Sequence, residues 1–200
     1  MAGGSAGNRR ADSTAGGEQP HRVHGADDAG QDAGRLARRT GGKTVDVQQV
    51  AEILLERDQR VSVAEACTNG LLGYTLGTIP GASRFFPGGV IAYTGGLKES
   101  ILSVPDELYE TAGSVSREMA IAMARGALEL TGTDYALSTT GVTGPAAGRS
   151  GLPIGTFWIG LAVKGGEDVA IEIRVGGDRD ATKHGAVQAA IDLLGNHLTA

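Results

Sequence analysis

The stretch that most restricts what this chain can fold into is Arg60 to Gly73, which reads Arg-Val-Ser-Val-Ala-Glu-Ala-Cys-Thr-Asn-Gly-Leu-Leu-Gly. Val61 and Val63 alternate with their neighbours and predict a buried strand. Asn69-Gly70 breaks that period, and Leu71, Leu72, Thr75 and Leu76 resume at helical spacing. Glu65, Ala66, Cys67 and Thr68 fall where the strand ends. The first backbone N–H groups of a helix have no partner inside it, so such a corner can face a ligand. The same pattern also suits an ordinary strand-to-helix loop.

The elements around it alternate. Thr44 is placed to cap a helix carrying Val47, Val50, Ile53 and Leu54 to about Gln59. After Ile79-Pro80-Gly81, Gly88 to Tyr93 predicts a second strand, followed by a short helix holding Lys98 and ending at Leu102. Ser116 is a candidate N-cap for the longest internal helix, with Ala120, Met123, Ala124, Ala127 and Leu128 inward and Gly132 at its end. Small residues on that face imply close packing on a sheet. Strands at Tyr135 to Thr140, Gly155 to Lys164 and Val169 to Val175 follow, the last two joined by a Gly-Gly-Glu-Asp turn. A final helix turns Val187, Ile191, Leu194 and Leu198 inward. This order predicts a three-layer α/β/α sandwich with a mixed, mostly parallel sheet and a late antiparallel hairpin.

Composition separates the first 43 residues from the rest. Met1 to Lys43 has no aromatic residue and hardly any large aliphatic one. Such a segment cannot offset its ordering entropy by burial, so a disordered leader is expected over 1–43 and one domain over 44–200. The leader lacks the apolar core of a signal or anchor, and its His21 and His24 read as solvated rather than as metal ligands. Of the 18 basic and 23 acidic residues, it holds 7 and 5, leaving 11 and 18 in the domain, a net charge of −7. No basic stripe exists for nucleic acid, and no run of eighteen apolar residues for a membrane. The single Cys67 can form neither an internal disulfide nor a cysteine metal cluster, which fits a reducing, cytoplasmic setting.

Four loops carry candidate chemistry: Glu65–Gly70, Tyr93–Lys98, Thr140–Pro145 and Gly176–Arg179. In an open α/β sheet, ligands occupy the crevice beyond the carboxyl ends of the strands. Lys98 there can be a phosphate contact, a solvated charge, or a base whose pKa burial lowers. Thr140-Gly141-Val-Thr-Gly-Pro suits an anion or oxyanion, although it matches neither the triphosphate loop nor the dinucleotide fingerprint. Asp178-Arg179 at a helix start can clamp a phosphate, or can simply cap the helix.

Taken together, these stretches resemble the C-terminal domain of the competence/damage-inducible protein A (CinA) family, known standing alone as nicotinamide-mononucleotide amidohydrolase. That family's pattern runs Glu-Ser-Cys-Thr-Gly-Gly, Val-Pro-Gly-Ser-Ser, Tyr-Ser-Asn-x-x-Lys, Gly-Ala-Val-Ser, Thr-Gly-Ile-Ala-Gly-Pro, Pro-Val-Gly-Thr and Gly-Asp-Arg. Here the same order gives Glu65–Gly70, Ile79–Ser83, Tyr93–Lys98, Gly113–Ser116, Thr140–Pro145, Pro153–Thr156 and Gly177–Arg179. The resemblance implies hydrolysis of the nicotinamide amide of a pyridine mononucleotide to the acid and ammonia, in nucleotide salvage, with no metal and no cofactor. It implies that Lys98 activates a serine nucleophile with help from Tyr93. Asn69, Gly70, Thr140 and Gly141 would then hold the substrate and Arg179 its phosphate. A small-molecule ligand, no nucleic acid, no membrane and a homo-oligomer are the expected partners.

One position departs decisively. Ala66 stands where the resemblance requires the nucleophilic serine. Asn69 and Gly95 also differ from the pattern, which favours natural divergence over a single engineered change. Two readings stay open: Cys67 or Thr68 substitutes as nucleophile, or the domain binds a nucleotide or a protein partner without turnover.

Overall fold

The computed structural model describes residues 44–145 and 150–200. The leader expected over 1–43, with His21 and His24, lies outside the described residues, as do residues 146–149.

Helix α1 (Val47–Glu56) ends shortly before the central strand β1 (Val61–Glu65). Asp46, not Thr44, caps α1: its carboxylate accepts from the Gln48 N–H at 3.0 Å, and Gln49 reaches back to the Asp46 N–H. Asp46 is extended and directly precedes the helix, the geometry a capping box needs. Helices α2 (Leu71–Gly77) and α3 (Ala82–Phe85) lead to β2 (Gly88–Ile91), and α4 (Gly95–Leu102) and α5 (Glu107–Thr111) follow. Ser116 caps α6 (Arg117–Thr131) by accepting from the Met119 N–H, as its sequence predicts. Strands β3 (Tyr135–Gly141), β4 (Thr156–Val163) and β5 (Val169–Arg174) precede α7 (Arg179–Thr199).

The five strands form one sheet in the order β2-β1-β3-β4-β5. β1 runs parallel to both β2 and β3, whereas β4 is antiparallel to β3 and β5 to β4. The sheet is therefore mixed with a late hairpin, as expected. Parallel pairing, expected to dominate, accounts for only two of the four pairings. The difference lies at β4, which pairs antiparallel with its predecessor β3, as a strand that needs no crossover can.

Every residue of β1 is buried, because both faces of the sheet are covered. Val61, Val63, Leu137, Ile159, Leu161 and Ile173 pack beneath α1, α2 and α7. Ala64, Ala136 and Ala162, the alternating residues, pack beneath α6 and α4 through Met119, Met123 and Leu102. The second layer lies very close. A Cβ added at Gly126 would stand 2.0 Å from the Leu102 carbonyl oxygen, so only glycine lets α6 touch α4 there.

One buried acid lies outside the crevice. A single oxygen of Asp192 on α7 accepts from the Val45 N–H and the Gln188 amide, both near 2.9 Å, and Gln188 also donates to the Val45 carbonyl. Burial raises the Asp192 pKa, opposed by those hydrogen bonds. A raised folded-state pKa means that the charged form is disfavoured on folding, so its cost is present above that pKa and disappears as pH falls below the unfolded value. Asp192→Asn can keep both bonds to one oxygen without the buried charge. It should leave stability unchanged or raise it by up to about 1 kcal/mol at pH 7 in denaturant unfolding, with the difference shrinking toward pH 3. Among the described residues, no helix is long and apolar enough to cross a membrane.

Candidate active site

The topology gathers four loops at one end of the sheet. The parallel strands β2, β1 and β3 all finish there, with Glu65 level with Ile91 and with Thr139. Because β4 and β5 reverse direction in turn, β4 starts and β5 stops at the same end, where Thr156 pairs with Arg174. The chain leaving β5 therefore returns to the ends of β1 and β3 before α7 begins.

Glu65 organises the first corner, and its role escaped the sequence reading. It is 1 % exposed. One carboxylate oxygen accepts from the Gly70 N–H at 2.9 Å, the Leu72 N–H at 3.1 Å and the Thr68 hydroxyl at 2.6 Å. The other accepts from the Gly73 N–H at 2.7 Å. The start of α2 was expected to offer open N–H groups to a ligand; this carboxylate takes them instead. Asp178 does the same for α7, accepting from the Asp180 and Ala181 N–H groups. The spacing of Glu65 five residues before Gly70 was the available signal.

Asn69 and Gly70 make the turn with φ of 55° and 96°. Asparagine tolerates the left-handed region better than other non-glycine residues, which explains how it can stand where the resemblance has glycine. A Cβ at Gly70 would press on the Ile91 side chain at 3.0 Å.

The three candidate nucleophile positions point different ways. Ala66 packs with Leu102, Val104 and Met119 on the α4–α6 side, the side of the helix that carries Lys98. Cys67, 5 % exposed, joins the core on the opposite side, beneath α1 and α7. Burial pushes its thiol up to about 12, despite opposing effects from a backbone hydrogen bond, Lys98 and the Thr139 hydroxyl. A thiol so rarely ionised near pH 7 is a poor nucleophile. Thr68 is equally buried, donates its hydroxyl proton to Glu65 and lies 2.6 Å from the Thr139 hydroxyl.

Lys98 is 3 % exposed, and among the described residues its amine has neither a hydrogen bond nor an ion pair. Burial lowers its pKa, with the Cys67 thiol acting weakly the other way. Its Nζ lies 5.9 Å from the centre of the Tyr109 ring, and the Tyr109 phenol donates to the Gly95 carbonyl at 3.2 Å. Tyr109 was not anticipated; nothing in its short helix marks it in sequence. A Cβ at Gly95 would be 3.4 Å from that ring, so Tyr109 takes the space beside the residue where the resemblance has asparagine.

Arg179 joins the far loops. Its guanidinium donates to the Gly144 carbonyl and, at 3.1 Å, to the Tyr93 hydroxyl. Tyr93 follows an edge strand and Arg179 follows the opposite edge strand. Four strand spacings of about 4.8 Å separate those edges, so the connection after β5 must fold across the sheet end. Tyr93 is 54 % exposed and makes no hydrogen bond to buried Lys98. The two residues thus occupy the rim and the floor. Thr140 donates to the Ser114 carbonyl at 2.6 Å, which ties the end of β3 to the loop before α6. Gly141 cannot carry a side chain, since a Cβ would fall 2.3 Å from the Phe157 ring.

A buried amine of lowered pKa, a glycine loop with threonine hydroxyls and a rim arginine whose partners among the described residues are neutral can receive an anion and move a proton. Comparison with known proteins gives this arrangement a lineage. The CinA C-terminal domain family model matches residues 44–198. A CinA-like protein of Dictyoglomus turgidum is 40 % identical over 153 residues, covering 76 % of this chain and 37 % of that protein. Another, from Chlorobium limicola, is 42 % identical over 144 residues, covering 72 % and 33 %. This chain therefore spans little more than a third of the curated relatives that it matches. Among solved structures, a competence-damaged protein (CinA) superfamily protein of Klebsiella pneumoniae aligns with a TM-score of 0.74 at 31 % identity, covering 76 % of this chain and 95 % of that one. The competence/damage inducible protein CihA of Agrobacterium tumefaciens gives 0.71 at 30 %, covering 84 % and 96 %. With the motifs colinear, the fold shared and the match running through the whole described domain, this chain belongs to the CinA C-terminal domain family.

Proposed function

We propose that the domain binds a pyridine mononucleotide at the strand ends and does not hydrolyse its carboxamide at a useful rate. The observation that carries this reading is the contrast between position 66 and its surroundings. Ala66 presents a methyl group within an apolar cluster that takes in Leu102, one turn beyond Lys98 on α4. Lys98, Thr140 and Arg179, the groups that the resemblance assigns to proton transfer and ligand binding, stand around the same sheet end. The rim charge supports an anionic ligand: Arg179 is exposed and, among the described residues, its partners are a carbonyl and a phenol, not a carboxylate. A phosphate would gain charge-assisted hydrogen bonds from it. Losing a nucleophilic hydroxyl removes transition-state stabilisation more than ground-state affinity, so binding can outlast turnover.

The competing reading, an active amidohydrolase with a substitute nucleophile, meets the buried thiol and the committed Thr68 hydroxyl described above. Calorimetric titration of the protein with nicotinamide mononucleotide and nicotinic acid mononucleotide separates the outcomes. Binding in the micromolar to submillimolar range is expected for at least one of them. Arg179→Ala should weaken it at least about tenfold, the equivalent of roughly 1.4 kcal/mol. Ammonia release from the amide should stay near the buffer background. Absence of binding by either nucleotide at millimolar concentration overturns the proposal, and rapid ammonia release that Cys67→Ala abolishes establishes the thiol as nucleophile.

A further inference from the structure

Lys98 is a buried cation-forming group with neither a hydrogen bond nor an ion pair among the described residues, its amine lying over the Tyr109 ring. The apolar cluster that takes in Leu102, one turn further along the same helix, also holds Ala64 of β1, Ala66 just past β1 and Ala92 just past β2. Helix α6 presents Met119, Met123 and Gly126 to α4. Helix α5 contributes the face of the Tyr109 ring, whose phenol is occupied by the Gly95 carbonyl. The titratable groups nearby are the Tyr109 phenol and the Cys67 thiol, both held in their neutral forms by burial near pH 7. Glu99, next on the same helix, is exposed, and Glu65 spends both oxygens on α2 and Thr68. A buried amine in this position stays neutral on its own, and carries charge when it takes a proton from a hydroxyl or sits beside an anion. Ala66 withholds the first at its own position.

We infer that Lys98 makes this site selective for a ligand bearing a carboxylate, so that the acid form of the mononucleotide is preferred over the carboxamide and is bound together with a proton. The inference rests on the mononucleotide reading of the same site. It reverses the preference that a hydrolase needs, since the compound held tightest is the one that an amidase would release. A neutral carboxamide can offer Lys98 only a weak hydrogen bond, whereas a carboxylate forms an ion pair once the amine takes up a proton. The lowered pKa of the unliganded amine supports the uptake. The sign follows from linkage. Between the free and bound pKa values of Lys98, the affinity for the acid falls by up to about tenfold for each unit of pH increase. Below both values no proton is taken up, and the carboxamide shows no such slope.

Calorimetric titrations of the whole chain with nicotinic acid mononucleotide and nicotinamide mononucleotide, at pH 6.5 to 9 and in two buffers of different ionisation heat, test the inference. The acid should bind at least about tenfold more tightly at pH 7, with net proton uptake in the range where its affinity falls. Lys98→Met, which keeps the length and apolar stem of the side chain, should abolish both the preference and the uptake while the carboxamide still binds. Equal affinities, a preference for the carboxamide, or a preference that survives Lys98→Met overturns the inference and leaves the mononucleotide reading standing. Failure of both nucleotides to bind overturns the two together.

Discussion

Ala66→Ser should raise ammonia release from nicotinamide mononucleotide by at least about a hundredfold over the unmodified protein, because nucleophile and base act as a unit and only one of them is missing. The substitution adds one oxygen to a residue on the α4–α6 side of β1, the side of the helix carrying Lys98. Burial lowers the pKa of the lysine on α4, which favours the neutral amine that can take a hydroxyl proton. Steric cost should be small, since the volume change is close to that of a methyl group. Ala66→Ser combined with Lys98→Met should return to background. An Ala66→Ser protein that binds the nucleotide but gains no turnover would show that divergence has moved the base or the ligand out of reach.

Glu65→Ala should be among the most damaging single changes in the domain. It removes the acceptor of three backbone N–H groups and one hydroxyl, all buried or half-buried. A buried donor left without a partner costs about 1–3 kcal/mol, and the losses here share one site, so roughly 3–5 kcal/mol in total is expected. For a domain of this size that lowers Tm by roughly 10 °C or more. Glu65→Gln separates charge from shape. Its amide nitrogen must face at least one N–H donor, so an intermediate loss of about 1–3 kcal/mol is expected. A Glu65→Ala protein within 2 °C of the parent would mean that water replaces the carboxylate and that the α2 start does not depend on it. Nucleotide binding should weaken in parallel, because Thr68 and Gly70, on either side of Asn69, are held by the same carboxylate.

Much of the fold was legible from local patterns. The β1 corner, the Ser116 cap and the late hairpin appear where alternation, capping residues and glycine pairs place them. Errors occurred where two local signals competed. Thr44 and Asp46 are both acceptable caps, and only the reach of the Asp46 carboxylate to Gln48 separates them. The excess of parallel pairing was inferred from alternating strands and helices, yet the connection between β3 and β4 lets the strand turn back.

The site divides along the same line. Motif order alone points to Ala66, Lys98, Tyr93, Thr140 and Arg179, because colinear short motifs survive without any knowledge of geometry. Side-chain direction and burial are not written in that order. Only the tertiary structure shows Arg179 with Tyr93 at the rim and Lys98 on the floor beside Tyr109. Only packing puts Cys67 and Ala66, both just past β1, into different layers and raises the Cys67 pKa by burial. The chemistry missing at position 66 is thus a property of the sequence. The unpaired charge that Lys98 would carry is a property of the fold, because its desolvation, and the lack of an acid partner among the described residues, arise only when distant segments close around it.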